Sequence, residues 1–227
     1  MTWQTYWLER TGQVALGLRR YHHDPVAADA TYAWTCEQGW HWAIGWTGEG
    51  PARYHPDPDS PYHREHLDLP EDVPLGRADL RWPKACGQGC GYQFTDDDPW
   101  QRWQEPIWTR PDATTRSQYV LHSQIIPPWL LPAGPGATYD SWWFPDAWRG
   151  ADGIAYTVRC PRPDGSAGTW LDWPVDAPAT GGGRWTRSGD PRAVNVTASP
   201  SIAIGDPAKP GFYHGFLQAG VLTDHLG

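Results

Sequence analysis

A chain of 227 residues with 17 Trp, 10 Tyr and 4 Phe is too aromatic for a disordered protein and long enough to bury a sizeable core. Its 25 Gly and 24 Pro demand many turns and leave room for little helix. A formal net charge of −8, with no Lys/Arg run longer than Arg19–Arg20, speaks against sequence-independent binding to nucleic acid, and no apolar run is long enough to span a bilayer.

The opening residues Met1-Thr2-Trp3-Gln4 lack the basic and apolar regions of a secretory signal, which predicts a protein made in a cytosol. The Asn195-Val196-Thr197 sequon is then a chance match. Residues 3–21 read as a hairpin turning at Thr11-Gly12, because Val14, Leu16, Leu18 and Tyr21 follow with apolar spacing close to period two. Residues 31–46 form a second strand region, crowded with Tyr32, Trp34, Trp40, Trp42, Ile44 and Trp46. Residues 47–79 are rich in proline and charge without a sustained period, which predicts an irregular excursion. A compact segment at 82–108 surrounds Cys86 and Cys90, and Thr95–Trp103 has the start of a short helical turn. Tyr119-Val120-Leu121 reads as a strand, 127–135 as an extended connection, and 136–150 as a second short helix or a packed loop.

From residue 153 the strand signal is clear: 154–160, then a Pro163-Asp164-Gly165 turn, 169–173, 193–197, 201–204 and 212–222. Gly181-Gly182-Gly183 is a loop with no phosphate-binding lysine after it. The expected fold is mainly β: an irregular β-sandwich or small barrel with short helices, long Pro/Gly-rich loops and a zinc knuckle. It forms one domain over 1–227, with an aromatic half at 1–110, a β half at 119–227 and a soft division near 112–118.

The sharpest local feature is Cys86-Gly87-Gln88-Gly89-Cys90-Gly91, in which glycine-rich turns let two sulfurs face one ion. Two thiolates do not close a structural site. Cys36 and His41, on the aromatic segment, complete a Cys3His set for a structural zinc that leaves no position for water. The competing reading makes Cys86 and Cys90 ordinary turn thiols and His41 a surface ring. His55, His63 and His66 are rivals for the fourth position, and the pair His63/His66 is also weighed as a separate metal site. Cys160 ends a core strand and is expected to be buried as a small apolar residue.

Three stretches carry a likeness to known sequences. The first is Cys86-x3-Cys90-Gly91-Tyr92-x-Phe94-x-Asp96-x-Asp98-x-Trp100-Gln101. The second runs Pro135-Gly136-Ala137, Trp142-Trp143-x-Pro145, Ala151-Asp152-Gly153 and Trp170-x-Asp172. The third runs Trp185-x-Arg187-x-Gly189-x-Pro191, Ser199-Pro200-Ser201-Ile202 and Tyr213-His214-Gly215-Phe216-Leu217-x-x-Gly220. Together they resemble an uncharacterised family of tailed-bacteriophage proteins, with a C-terminal half like a phage and prophage domain of unknown function. The family pattern places an aromatic–His pair after a Cys near position 36; here the pair is Trp40-His41, which supports the ligand choice. The sequence departs from the pattern over most of 47–79 and at Arg159-Cys160. The resemblance implies a phage origin and brings no activity with it.

The motifs of serine hydrolases, zinc proteases and nucleobase deaminases are missing, since Cys86-x3-Cys90 has the wrong spacing and Lys84-Ala85 replace the proline that a deaminase needs. Ser199, Ser201, Asp206 and His214 can be drawn as nucleophile and base, although His214 is better read as ordering a tight turn. The expectation is a non-enzymatic virion protein, made in the host cytoplasm and assembled with capsid or other virion proteins as a head-associated or decoration component. It is expected to be oligomeric in that assembly, with no nucleic-acid or membrane partner. An intracellular accessory factor, a zinc-dependent hydrolase and a glycan- or host-surface-binding module are the alternatives.

Overall fold

The computed structural model describes residues 1–23, 36, 39–47, 52–53, 75–113, 117–121, 126–144, 146–162, 167–171, 185–208 and 212–224. The sites suggested at His55, His63 and His66, the Pro163–Gly165 turn and the Gly181–Gly183 loop lie outside the described residues. Among the described residues the chain is mainly β, with a 3-10 turn at Asp146–Trp148 and no α-helix. No helix among them is long and apolar enough to cross a membrane.

The strands in chain order are β1 (Thr2–Gln4), β2 (Tyr6–Trp7), β3 (Glu9–His23), β4 (Trp40–Trp46), β5 (Ala52–Arg53), β6 (Trp100–Thr109), β7 (Gln118–Val120) and β8 (Leu131–Pro132). They continue with β9 (Ala137–Asp140), β10 (Tyr156–Pro161), β11 (Ala167–Leu171), β12 (Thr186–Ser188), β13 (Thr197–Ser199), β14 (Ile202–Ile204), β15 (Tyr213–Gln218) and β16 (Val221–Asp224). The chain divides into two compact units. One comprises Met1–Arg10, Trp108–Tyr119 and Pro132–Gly227; the other comprises Thr11–Ile107 and Val120–Leu131.

In the first unit, one sheet runs β1-β16-β15-β14 and a second runs β11-β10-β9-β2. The first residues of the chain join its last strand, with Trp3 opposite Leu222, and β2 lies parallel to β9. Alternation along β15 buries Tyr213, Gly215 and Leu217 and leaves His214 and Phe216 half-buried. The inward residues of both sheets form one cluster that includes Trp7, Tyr156, Val158, Cys160, Trp170, Ile202, Leu217 and Leu222. Complete burial of an aliphatic side chain such as Leu217 stabilises the fold by about 1.5–3 kcal/mol. Within this unit Asp152 accepts from Arg187 at 2.6 and 3.0 Å.

The second unit is built on β3, a 15-residue strand. It pairs with β4 from Gly17 opposite Trp46 to His23 opposite Trp40, and with β5 at Gln13 and Val14; β6 is its other neighbour. The hairpin expected at Thr11-Gly12 is therefore corrected. Gly12 takes a positive φ, yet the strand runs on, held by the Thr11 hydroxyl donating to the Ile107 carbonyl at 2.9 Å. The helical turn expected at Thr95–Trp103 is corrected too: Asp98 closes a turn onto Thr95, and from Trp100 the chain enters β6. Strong aromatic and β-branched content over Trp100–Thr109 favours a ladder over a helix. The strand expected at 193–197 is shorter and later, at Thr197–Ser199, because residues 191–194 form turns.

The two faces of β3 have different coverings. Ala15 joins Ile44, Trp46, Ile107, Val120 and Leu130 in one cluster, whereas Leu18 packs with Leu75 and Trp82. Because side chains alternate, Arg20 and His22 share the face of Leu18, with Ala43 and His41 as their partners on β4. Arg20 is buried there: it donates to the carbonyls of Pro83 and Thr95 and lies 5.0 Å from the ring of Phe94. Gly45 permits the close approach of this layer, since a Cβ at that position would stand 2.0 Å from the Arg81 carbonyl oxygen.

Candidate metal centre

The segment 84–94 is a short hairpin whose tip is the glycine-rich knuckle. Phe94 N–H donates to the Lys84 carbonyl, Cys86 N–H donates to the Tyr92 carbonyl, and Ala85 bridges Gln93. Gly89 and Gly91 both adopt positive φ (78° and 86°), a conformation that glycine enters without steric cost and that turns Cys90 back toward Cys86. The hairpin is anchored to β4, because Gly87 N–H and the Gln88 side-chain amide donate to the carbonyls of Trp42 and Trp40. His41 lies between those two residues on β4, and Cys36 precedes a turn closed by Gly39 N–H on its carbonyl.

These elements bring Cys36, His41, Cys86 and Cys90 together, with their ligand atoms all within 4.8 Å of one another. Cys36 Sγ is 3.6 Å from Cys86 Sγ, and Cys90 Sγ is 3.3 Å from His41 Nδ1. Thiolates about 2.3 Å from a tetrahedral metal ion stand about 3.8 Å apart, and a thiolate–imidazole edge is slightly shorter. The two contacts agree with those edges, so the cluster could hold a metal ion. The four residues are the set expected from the sequence, and Cys160 is separate from them, fully buried in the core of the other unit.

The thiols are not equivalent. Desolvation first, then the adjoining thiols of Cys90 and Cys86, push Cys36 up to about 12. Cys90 is exposed, and the Tyr92 backbone N–H directed at its sulfur holds it below the ordinary thiol range. A bound divalent ion would take the sulfurs as thiolates.

Around the cluster lies a second layer that the sequence did not reveal. Tyr92 touches three of the four candidate ligands: its carbonyl accepts from Cys86 N–H, its N–H faces Cys90, and its ring stacks on His41 at 4.3 Å and 4°. The tyrosine ring also stacks against His22, at 4.8 Å, and the His22 ring lies 6.1 Å from that of His41. Asp98, buried, ties the layer together. It accepts from Thr95 N–H at 2.6 Å and from the Tyr92 hydroxyl at 3.2 Å, and it stands 2.7 Å from His22 Nδ1. Burial alone would raise the Asp98 carboxyl, but the Thr95 N–H, His22 and Tyr92 outweigh it and hold the group below the usual carboxylate range. Hydrogen bonds and stacking of this kind fix the orientation of metal-binding imidazoles.

The other constellation considered in the sequence comes together only in part. His214 Nε2 is 2.9 Å from Ser201 Oγ, but His214 sits in strand β15 and not in the tight turn expected for it. Asp206 accepts from Ala208 N–H, and the Ser199 carbonyl accepts from Thr186.

Comparison with protein-family models, with curated proteins and with solved structures finds no match.

Proposed function

We propose that Cys36, His41, Cys86 and Cys90 bind one structural zinc ion, and that the protein is a non-enzymatic virion component of a tailed phage, head-associated or decorating the capsid. The observation that carries the metal reading is the convergence of four protein donor atoms within 4.8 Å. Three thiols and an imidazole are soft and borderline donors, the set that favours zinc over magnesium or calcium, and four protein ligands complete a tetrahedron. An ion held this way supplies cohesion: it fastens β4, the 84–94 hairpin and the turn at Cys36, and its binding free energy adds to folding. The virion reading is supported by the likeness of Cys86–Gln101, Pro135–Asp172 and Trp185–Gly220 to phage sequences and by the net charge of −8, which suits contact with protein better than with nucleic acid.

Metal analysis of untagged protein tests the first part. One zinc per chain is expected, with removal by a strong chelator lowering the unfolding temperature and re-addition restoring it. Folded protein with a near-zero metal content and no uptake of zinc overturns it. Mass spectrometry of purified phage particles tests the second part: the protein is expected in the particle, and absence from it removes the virion role.

A further inference from the structure

We infer that the metal centre is also a peroxide-responsive thiol site, in which Cys90 reacts first with a hydroperoxide and Cys36 closes a disulfide onto it, expelling the ion. This rests on the metal reading above and concerns the regulation of the same four residues.

Two observations carry it. The donors differ in access: Cys90 is exposed, Cys36 is intermediate, and Cys86 is buried with its sulfur directed at the Trp42 carbonyl. An oxidant arriving from water therefore meets Cys90 first. Finally, Cys36 comes from a segment distant in sequence yet lies in the same cluster, within 4.8 Å of Cys90 and in contact with Cys86 at 3.6 Å. A sulfenic acid formed on Cys90 thus has a resolving thiol beside it. Cys160, fully buried in the other unit, has no part in the reaction.

The chemistry balances. The Cys90 thiolate attacks one oxygen of hydrogen peroxide; an S–O bond forms, the O–O bond breaks, and hydroxide leaves. Sulfur loses two electrons and peroxide gains them. The Cys36 thiolate then attacks the Cys90 sulfur, the S–S bond forms, and the oxygen departs as a second hydroxide. Two thiolate ligands have become a neutral disulfide. Cys86 and His41 alone do not make a closed structural site, so the divalent ion is released. A thiol reductant returns both thiolates and the site.

The test uses the intact chain loaded with zinc, its metal content measured first. Hydrogen peroxide is added, zinc release is followed with a chromophoric chelator, and the cysteines are mapped by mass spectrometry after alkylation. The expected result is release of the bound zinc in step with a Cys36–Cys90 disulfide, Cys86 and Cys160 remaining alkylatable, and full rebinding after reduction. Zinc retained under peroxide, a Cys86–Cys90 disulfide, or oxidation confined to Cys160 overturns the inference. In Cys36→Ser, reversible release should be lost and Cys90 should progress to sulfinic acid. Should that variant fail to load, the wild-type mapping still decides the matter. A chain that holds no zinc before peroxide is added refutes the metal reading instead, so the two failures are distinguishable.

Discussion

Replacing Asp98 by Asn probes whether the layer behind the metal centre sets its affinity. The carboxylate accepts from Thr95 N–H at 2.6 Å and Tyr92 at 3.2 Å and faces His22 Nδ1 at 2.7 Å, while the residue is only 6% exposed. Asparagine keeps the shape but offers one acceptor oxygen in place of two, and its amide presents hydrogens to a donor. Losing one hydrogen bond to a charged group costs about 1.5–3 kcal/mol of folding. Outer partners of metal ligands are worth about 10–100-fold in affinity; Asp98 reaches His41 only through the Tyr92 ring, which sets the expectation at the low end, about tenfold or roughly 1.4 kcal/mol. Zinc affinity is measured by competition with a chromophoric chelator on folded protein, and stability by urea denaturation of the loaded form. The exposed Asp97→Asn serves as the control and should change neither. If Asp98→Asn loses the expected folding stability but binds zinc as tightly as the parent, the ring stack does not orient His41 and the reasoning fails.

Other consequences can be measured alongside. Gly45→Ala places a Cβ 2.0 Å from the Arg81 carbonyl oxygen, so β4 and that carbonyl must part; a loss of about 1–3 kcal/mol is expected in urea denaturation. Leu217→Ala empties a fully buried site in the first unit and should cost about 2–5 kcal/mol, read as a lower denaturation midpoint. Burial raises the Asp152 carboxyl, but Arg187 and the Ile154 N–H outweigh it and leave the group depressed in the folded state. Its contribution is accordingly present above the unfolded pKa and lost as pH falls through the folded one. Asp152→Asn should flatten the acid limb of the stability profile, and an unchanged limb would show that another group controls it.

What the sequence made legible was local. The Gly89 and Gly91 turns announce the knuckle because few backbones fold two thiols together at that spacing, and Trp40-His41 lies on a strand whose composition was plain. The strand read over 212–222 was accessible as far as Gln218, since its buried positions alternate from Tyr213 to Leu217, but the turn at Ala219-Gly220 divides it into the β15–β16 hairpin. Pairings between distant stretches leave no such trace. Nothing in Thr2–Gln4 indicates that it completes a sheet with Val221–Asp224, and nothing in His22 indicates His41 as its cross-strand partner. Asp98 was misread for a related reason. Its place after two further aspartates resembles a helix start, whereas its carboxylate caps a turn and holds side chains from two other elements. Gly12 misled in the opposite direction, because a positive φ inside a strand bends the ladder without ending it.

The candidate ligands are unevenly spread along the chain: Cys36 and His41 come from one short stretch, and Cys86 and Cys90 from another, with the whole proline-rich excursion between them. An ion joining the two stretches acts as a clasp on a ring of polypeptide. The entropy of closing such a ring grows only with the logarithm of its length, about 0.6 kcal/mol for each doubling. Chains built on this plan can lengthen or shorten between His41 and Cys86 at little thermodynamic penalty, which makes that interval the natural place for relatives to diverge while the clasp stays the same.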